Sequence, residues 1–173
     1  FSNPSLFVGH KGILLWPEGF SLASYQAVFK NTFLWTGYAN TLFIVIVGTV
    51  LNVLLSMVAA YCLSRKHVAA GPTIMKLLVF TMYFSGGMIP LYLVVKGVGL
   101  YGSRWALILP TLVDTYNLII MRTAFAGVPD SLEESAKLDG ANAWTILWRI
   151  MAPLVKPTVA VITLYYAVSH WNS

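Results

Sequence analysis

No charged residue occurs between Lys30 and Arg65, and the most apolar part of that interval, Thr41 to Ser64, reads TLFIVIVGTVLNVLLSMVAAYCLS. A helix rises about 1.5 Å per residue, so about 20 residues cross a hydrocarbon core of about 30 Å. The run is long enough, and it is apolar on every face, which a helix of a water-soluble domain rarely is over such a length. A membrane span over 40–64 follows. Composition points the same way. Hydrophobic residues make up 58% of the chain and charged residues 10%, against about 25% charged in soluble chains. Too little charge is present to coat a water-facing globule or to keep the chain disordered. The expected fold class is all-α, a polytopic transmembrane bundle within one domain over 1–173.

Further charge-poor windows supply the other spans. Residues 77–95, between Lys76 and Lys96, contain Gly86, Gly87 and Pro90. Such residues break a helix in water but are tolerated in a bundle, where neighbours satisfy the freed backbone groups. A broken span of this kind either lines a pathway or packs closely against a neighbour at its glycines. Residues 105–121 lie between Arg104 and Arg122 and include Pro110, Asp114 and Asn117. An ionisable group facing lipid costs a few kcal/mol, so the face shared by Asp114 and Asn117, three apart, should turn inward. It serves there as pathway lining or as helix–helix glue. The window 157–173 opens with Pro157, suited to a first helical turn, and is too short to cross fully before Ser173. The chain reads as a fragment lacking its first and last spans.

The formal charge of +5 is scattered, with no basic run beyond Arg65-Lys66, which excludes a nucleic-acid surface and fits membrane topology signals instead. Lys and Arg at 65, 66, 76, 122, 137, 149 and 156 fall on one side and those at 11, 30, 96 and 104 on the other. The richer side is expected to be cytoplasmic. Residues 1–39 then form an extracytoplasmic loop, in which Ser21 caps a short surface helix with Leu22, Tyr25, Val28 and Phe29 on one apolar face. The single cysteine, Cys62, excludes an intrachain disulfide and a cysteine-cluster metal site.

The most informative segment is the loop over 122–156, whose central part reads PDSLEESAKLDGANAWTILWRIMAPLVK. Ser131 with Glu134 has the spacing of a capping box, and Asp130 and Glu133 place negative charge at a helix N-terminus. Leu132, Ala136, Ala143, Ile146, Leu147 and Ile150 recur at helical spacing. Gly140 interrupts them, so a short helix, a turn and a second helix are expected. Small residues at Ser135, Ala136, Gly140 and Ala141 allow another surface to approach. Packing under the chain's own bundle is an equally good reading of the periodicity alone.

Here the chain resembles a known family. Glu134-Ser135-Ala136, three residues, Gly140, nine residues, Ile150, one residue, then Ala152-Pro153 match the spacing of the EAA loop. That loop marks the MetI-like permease subunits of binding-protein-dependent ABC importers. Ser135 and Ala152 depart from the family's Ala and Leu without changing the spacing. Asn40-Thr41-Leu42, Ala60-Tyr61 with Leu63-Ser64-Arg65, Ile89-Pro90 and the terminal His170-Trp171-Asn172-Ser173 look like the carbohydrate-uptake branch.

The resemblance implies a coupling helix that docks in a cleft of a cytoplasmic ABC ATPase dimer. Glu134, Ser135, Ala136, Asp139 and Gly140 would dock, Glu133 and Asp130 would assist by charge, and Ile150 and Pro153 would complete the motif. It implies a second permease subunit, generally non-identical, an extracytoplasmic solute-binding protein, and a location in the bacterial plasma membrane among lipid. No phosphate-binding P-loop is present, so the chain carries no cofactor of its own, and ATP and magnesium would sit on the partner ATPase. No catalytic set emerges from His10, His67 and His170, and no metal site is expected. For a sugar pathway, Asp114, Tyr116, Asn117, Tyr166, His170, Trp171 and Asn172 supply hydrogen-bonding groups beside aromatic faces. A permease for another small solute, or an energy-independent channel, are the competing readings; a channel has no need of a docking helix.

Overall fold

A computed structural model of the chain describes residues 22–65, 68 and 70–173, and these are helical with no strand. The expected Ser21 cap, Lys66, His67 and the loop before residue 22 lie outside the described residues. The chain divides into two compact units, residues 1–41 and 42–173.

In the first unit, α1 (Ala23–Phe29) precedes the start of α2 (Thr32–Ser64). Asn31 Oδ1 accepts from Phe33 N at 3.0 Å and so ties down one of the free donors at the start of α2. Trp35 Nε1 donates to Phe29 O at 2.9 Å. Leu22, Tyr25, Val28 and Phe29, expected as one apolar face, are all exposed. The helix expected to open at residue 40 begins at Thr32, because no proline or cap interrupts the intervening residues.

In the second unit, α2 supplies one wall of the core. Val53, Met57, Ala60 and Tyr61 are buried, while Ile46, Val50, Leu54 and Leu55 on other faces are exposed. The buried face meets Leu118, Met121 and Phe125 of α6 (Thr115–Ala126) and Ile162 and Tyr166 of α9 (Lys156–Trp171). Among the described residues, α2 is the one helix long and apolar enough to cross a membrane unaided.

The other apolar windows are bent or broken. Residues 77–95 fall in α3 (Gly71–Tyr83) and α4 (Met88–Gly97), which meet at 117°. Gly87 makes the break, with φ +83 and ψ −177, a combination open essentially to glycine alone. The single span expected over 105–121 is instead two pieces. The short α5 (Trp105–Ile108) tightens into a 3₁₀ turn, Leu109–Thr111, and α6 restarts only at Thr115. Pro110 has no N–H to continue the ladder, and Asp114 caps the new helix, its Oδ1 accepting from Asn117 N at 2.8 Å.

The loop over 122–156 forms α7 (Asp130–Leu138) and α8 (Ala143–Leu154). The capping box expected at Ser131 and Glu134 does not form. The helix begins at Asp130, behind Pro129, without a side-chain cap, so Ser131 already lies inside the first turn. The turn at Gly140 does form. Gly140 adopts φ +80, its N–H bonds Lys137 O at 3.0 Å, and Ala141 N bonds Ala136 O at 2.9 Å. This is a Schellman ending, which needs a left-handed residue at that position. The change of direction breaks the expected apolar stripe: Ala136, Ile146 and Leu147 are buried and Ile150 partly so, but Leu132 and Ala143 are exposed.

A π-helical turn over Ile146–Met151 runs through α8, and α8 meets α9 at 88°. Pro153 and Pro157 explain the bend. Each removes the N–H that would have bonded the carbonyl four residues back, at Arg149 and at Pro153, so the ladder is open where the chain turns.

Candidate functional site

Polar side chains gather at two places in the second unit. The first surrounds a cavity of about 580 Å³, a volume within the usual range for small-molecule sites, roughly 300–1,000 Å³. The α5–α6 break exposes backbone and side chains at Pro110 to Asn117, and α9 closes the opposite wall with Tyr165, Tyr166 and His170.

The walls are cross-linked by hydrogen bonds. Ser56 Oγ and Tyr166 OH are 2.8 Å apart, and the same phenol oxygen accepts from Asp114 N at 3.1 Å. Asn52 Nδ2 donates to Thr111 O at 3.0 Å, which fixes the orientation of its amide. The same nitrogen lies 3.1 Å from His170 Nε2, which is therefore the acceptor. Asn52 Oδ1 and Thr49 Oγ1 are buried without a hydrogen-bond partner. Gly48 makes room for the imidazole, since a Cβ there would lie 2.6 Å from His170 Nε2. The lining holds one carboxylate, Asp114, and no Lys or Arg.

Of the residues singled out for a solute pathway, Asp114, Tyr116, Asn117, Tyr166 and His170 line this cavity. Trp171 and Asn172 do not. Trp171 is exposed, and Asn172 Nδ2 donates to Val168 O on its own helix at 2.9 Å. Asn52, Ser56 and Thr111 were missed. The signal for the first two was present: Thr49, Asn52 and Ser56 are polar residues three and four apart in an otherwise apolar span, hence one face of one helix.

The second gathering lies where α2 and α6 end and α7 begins. Arg65 is buried and donates from Nη2 to Phe125 O at 2.8 Å and from Nε to Ser64 Oγ at 3.1 Å. Its Nη1 lies 3.3 Å from Asp130 Oδ1 and 3.1 Å from Glu133 Oε2. Glu133 is buried, and its other oxygen holds Lys137 Nζ at 2.7 Å, one helical turn on. Glu133 and Asp130 thus face Arg65, and Glu133 offers no charge to an outside surface. The outward face carries Glu134, Ser135, Asp139 and Gly140, with Leu138 90% exposed. Ala136 is buried, Ile150 is partly covered and Pro153 is exposed. Leu138 was missed, since it stands outside the apolar stripe of Leu132 and Ala136.

Among the described residues, no group of acidic, histidine or cysteine side chains is arranged to hold a metal ion. Residues 68–173 match the family described as binding-protein-dependent transport system inner membrane component. The chain is 45% identical over 173 residues to the polygalacturonan/rhamnogalacturonan transport system permease protein YtcP of Bacillus subtilis (strain 168), covering 100% of this chain and 60% of that protein. It is 41% identical over 165 residues to Protein LplC of the same organism, covering 95% of this chain and 56% of that protein. The chain thus spans well under two thirds of these relatives' length. A crystal structure of a bacterial ABC transporter involved in the import of the acidic polysaccharide alginate superposes with a TM-score of 0.89 at 35% identity, covering 96% of this chain and 59% of that one.

Proposed function

Since the chain belongs to the family of binding-protein-dependent transport system inner membrane components, we infer that it is the larger part of a permease subunit in an ATP-driven importer of sugars or oligosaccharides. The observation that carries this reading is α7, whose inner face is held by buried Glu133 and Ala136 while Glu134, Leu138, Asp139 and Gly140 face outward. A short helix held on one side and presented on the other suits docking to a partner that moves it. On this reading the partner is a cytoplasmic ATPase dimer, which holds the nucleotide and magnesium. A second permease completes the pathway in the plasma membrane, and a solute-binding protein delivers the cargo from outside.

The cavity supports the cargo class. Amide, phenol, hydroxyl and imidazole groups beside the aromatic faces of Tyr116, Tyr165 and Tyr166 suit a hydroxyl-rich solute with apolar ring faces. The permease YtcP and the alginate importer both handle carbohydrates, which favours sugars over other small solutes.

The test uses the full-length gene product, isolated gently from its membrane with whatever chains accompany it. Co-purification of an ATPase and a second permease, with ATP-dependent uptake of oligosaccharide into proteoliposomes, is the expected result. A protein that purifies alone and lets sugar equilibrate without ATP overturns the importer reading in favour of a channel.

A further inference from the structure

Taking α7 as the docking helix, we propose that Arg65 is a positioning residue that clamps α7 to the ends of α2 and α6, so that a displacement of α7 reaches both spans as one movement. The inference rests on the functional reading above and concerns a residue outside the docking motif.

The covalent path from α6 to α7 is short. It runs through Gly127, Val128 and Pro129, with Val128 buried in the core and its N–H bonded to Phe125 O at 3.2 Å. This joint links α7 to α6 and makes no connection to α2. Arg65 bridges the joint. From the end of α2 it reaches Phe125 O in the last turn of α6 and both Asp130 and Glu133 in the first turns of α7. Tyr61, one turn back on α2, lies under the guanidinium, with the carbon 5.3 Å from the ring centroid. Arg122 reinforces the α2–α6 side by donating from Nε to Leu63 O at 2.9 Å.

The choice of residues argues for orientation rather than stability. Buried ion pairs contribute little net stability, because desolvation offsets their attraction, and apolar replacements of the whole set are often as stable. A guanidinium offers several donors in one rigid plane, which fixes angles between the groups it joins. Glu133 Oε2 sits 3.1 Å from Nη1 yet makes no directed hydrogen bond. Lys137, on the next turn of α7, holds the other oxygen and sets the carboxylate's position. The fork thus joins three helix ends, and lysine, a point charge on a flexible stem, would not reproduce it.

The experiment compares the full-length protein, assembled with its ATPase and partner permease in proteoliposomes, with Arg65→Lys and with the double variant Arg65→Met/Glu133→Gln. The double variant removes both buried charges, so neither is left alone. The quantity read is solute moved per ATP hydrolysed, measured beside binding-protein stimulation of the ATPase. The expected result is assembly and ATP hydrolysis in both variants, with transport per ATP lowered at least tenfold in the double variant and less in Arg65→Lys. Transport per ATP within twofold of wild type in an assembled double variant overturns the clamp. Should that variant fail to assemble, Arg65→Lys decides, and an unchanged ratio there overturns it equally. Absence of ATP-dependent uptake in the wild-type assembly would instead refute the functional reading on which the clamp rests.

Discussion

Gly48→Ala tests the packing at the cavity wall, because two effects of opposite sign compete there. Alanine in a helix is favoured over glycine by about 1 kcal/mol, so the substitution stabilises α2 if space is free. Space is not free: the new Cβ would stand 2.6 Å from His170 Nε2 and 2.9 Å from two ring carbons, where ordinary contact needs about 3.5 Å or more. The ring must retreat by close to 1 Å on that estimate. His170 is buried and 3.1 Å from Asn52 Nδ2, so retreat stretches that bond. Overpacking costs about 1–3 kcal/mol and an interhelical hydrogen bond in a membrane contributes about 0.6–2 kcal/mol. Less the propensity gain, the net is a loss of about 0.6–4 kcal/mol. Detergent-titration unfolding of the full-length protein measures it. Adding His170→Ala removes the obstacle, so the double variant should be more stable than the sum of the single changes by at least 1 kcal/mol, the lower bound for overpacking. A Gly48→Ala protein stabilised by about 1 kcal/mol, or strict additivity with His170→Ala, would refute the close approach of α2 and α9 at this point.

Two further substitutions probe the other sites. Gly140→Ala places a Cβ in a left-handed turn with open space around it, so the loss is conformational, about 1–2 kcal/mol. Gly140→Asn should lose less, and ATP-driven uptake should fall in the order Gly, Asn, Ala, Asp while membrane insertion, read by fractionation, stays constant; Gly140→Asp with normal uptake contradicts the docking role. Asp114→Asn keeps the helix cap but removes the cavity's one carboxylate. A like charge about 8 Å away repels by roughly 2 kcal/mol at an effective dielectric near 20, so uptake of an acidic oligosaccharide relative to a neutral one should rise by up to about 30-fold. Asp114→Ala should in addition cost about 1 kcal/mol of stability by loss of the cap, and an unchanged acidic-to-neutral ratio in both would remove Asp114 from the pathway.

The features legible in the sequence were those with a local cause. The long charge-free run became α2, Gly140 became a left-handed turn, and Pro157 sits in the first turn of α9. Boundaries set by competition were not legible. Ser131 and Glu134 have the spacing of a capping box, but Pro129 starts the helix earlier and Arg65 engages Asp130 and Glu133; a contact across 65 residues leaves no periodic trace in either segment. The break between α5 and α6 was hidden because the window 105–121 is apolar on average, though Pro110 and Asp114 together mark where it falls. Five of the residues singled out for the pathway share one cavity, whereas Trp171 and Asn172 were chosen for chemical type alone, and nothing in composition told which way they face.

The two polar gatherings share one element. Gly48, Asn52, Ser56 and Ala60 follow one another at steps of four on α2 and are all buried. Gly48 and Asn52 meet His170, Ser56 meets Tyr166, and Arg65 lies at the end of the same helix. Thirteen residues separate Asn52 from Arg65, about 20 Å along an unbroken helix. The other elements that line the cavity, α3, the α5–α6 break and α9, each belong to a bent or interrupted pair. A continuous helix conveys displacement along its axis, whereas a broken one bends at its joint. The division of labour follows from that difference: α2 can carry a movement from the Arg65 end to the cavity wall, and the broken spans can change shape around whatever the cavity holds. The polar residues on α2 therefore sit where a rigid element meets deformable ones, and their hydrogen bonds set how the two are registered against each other.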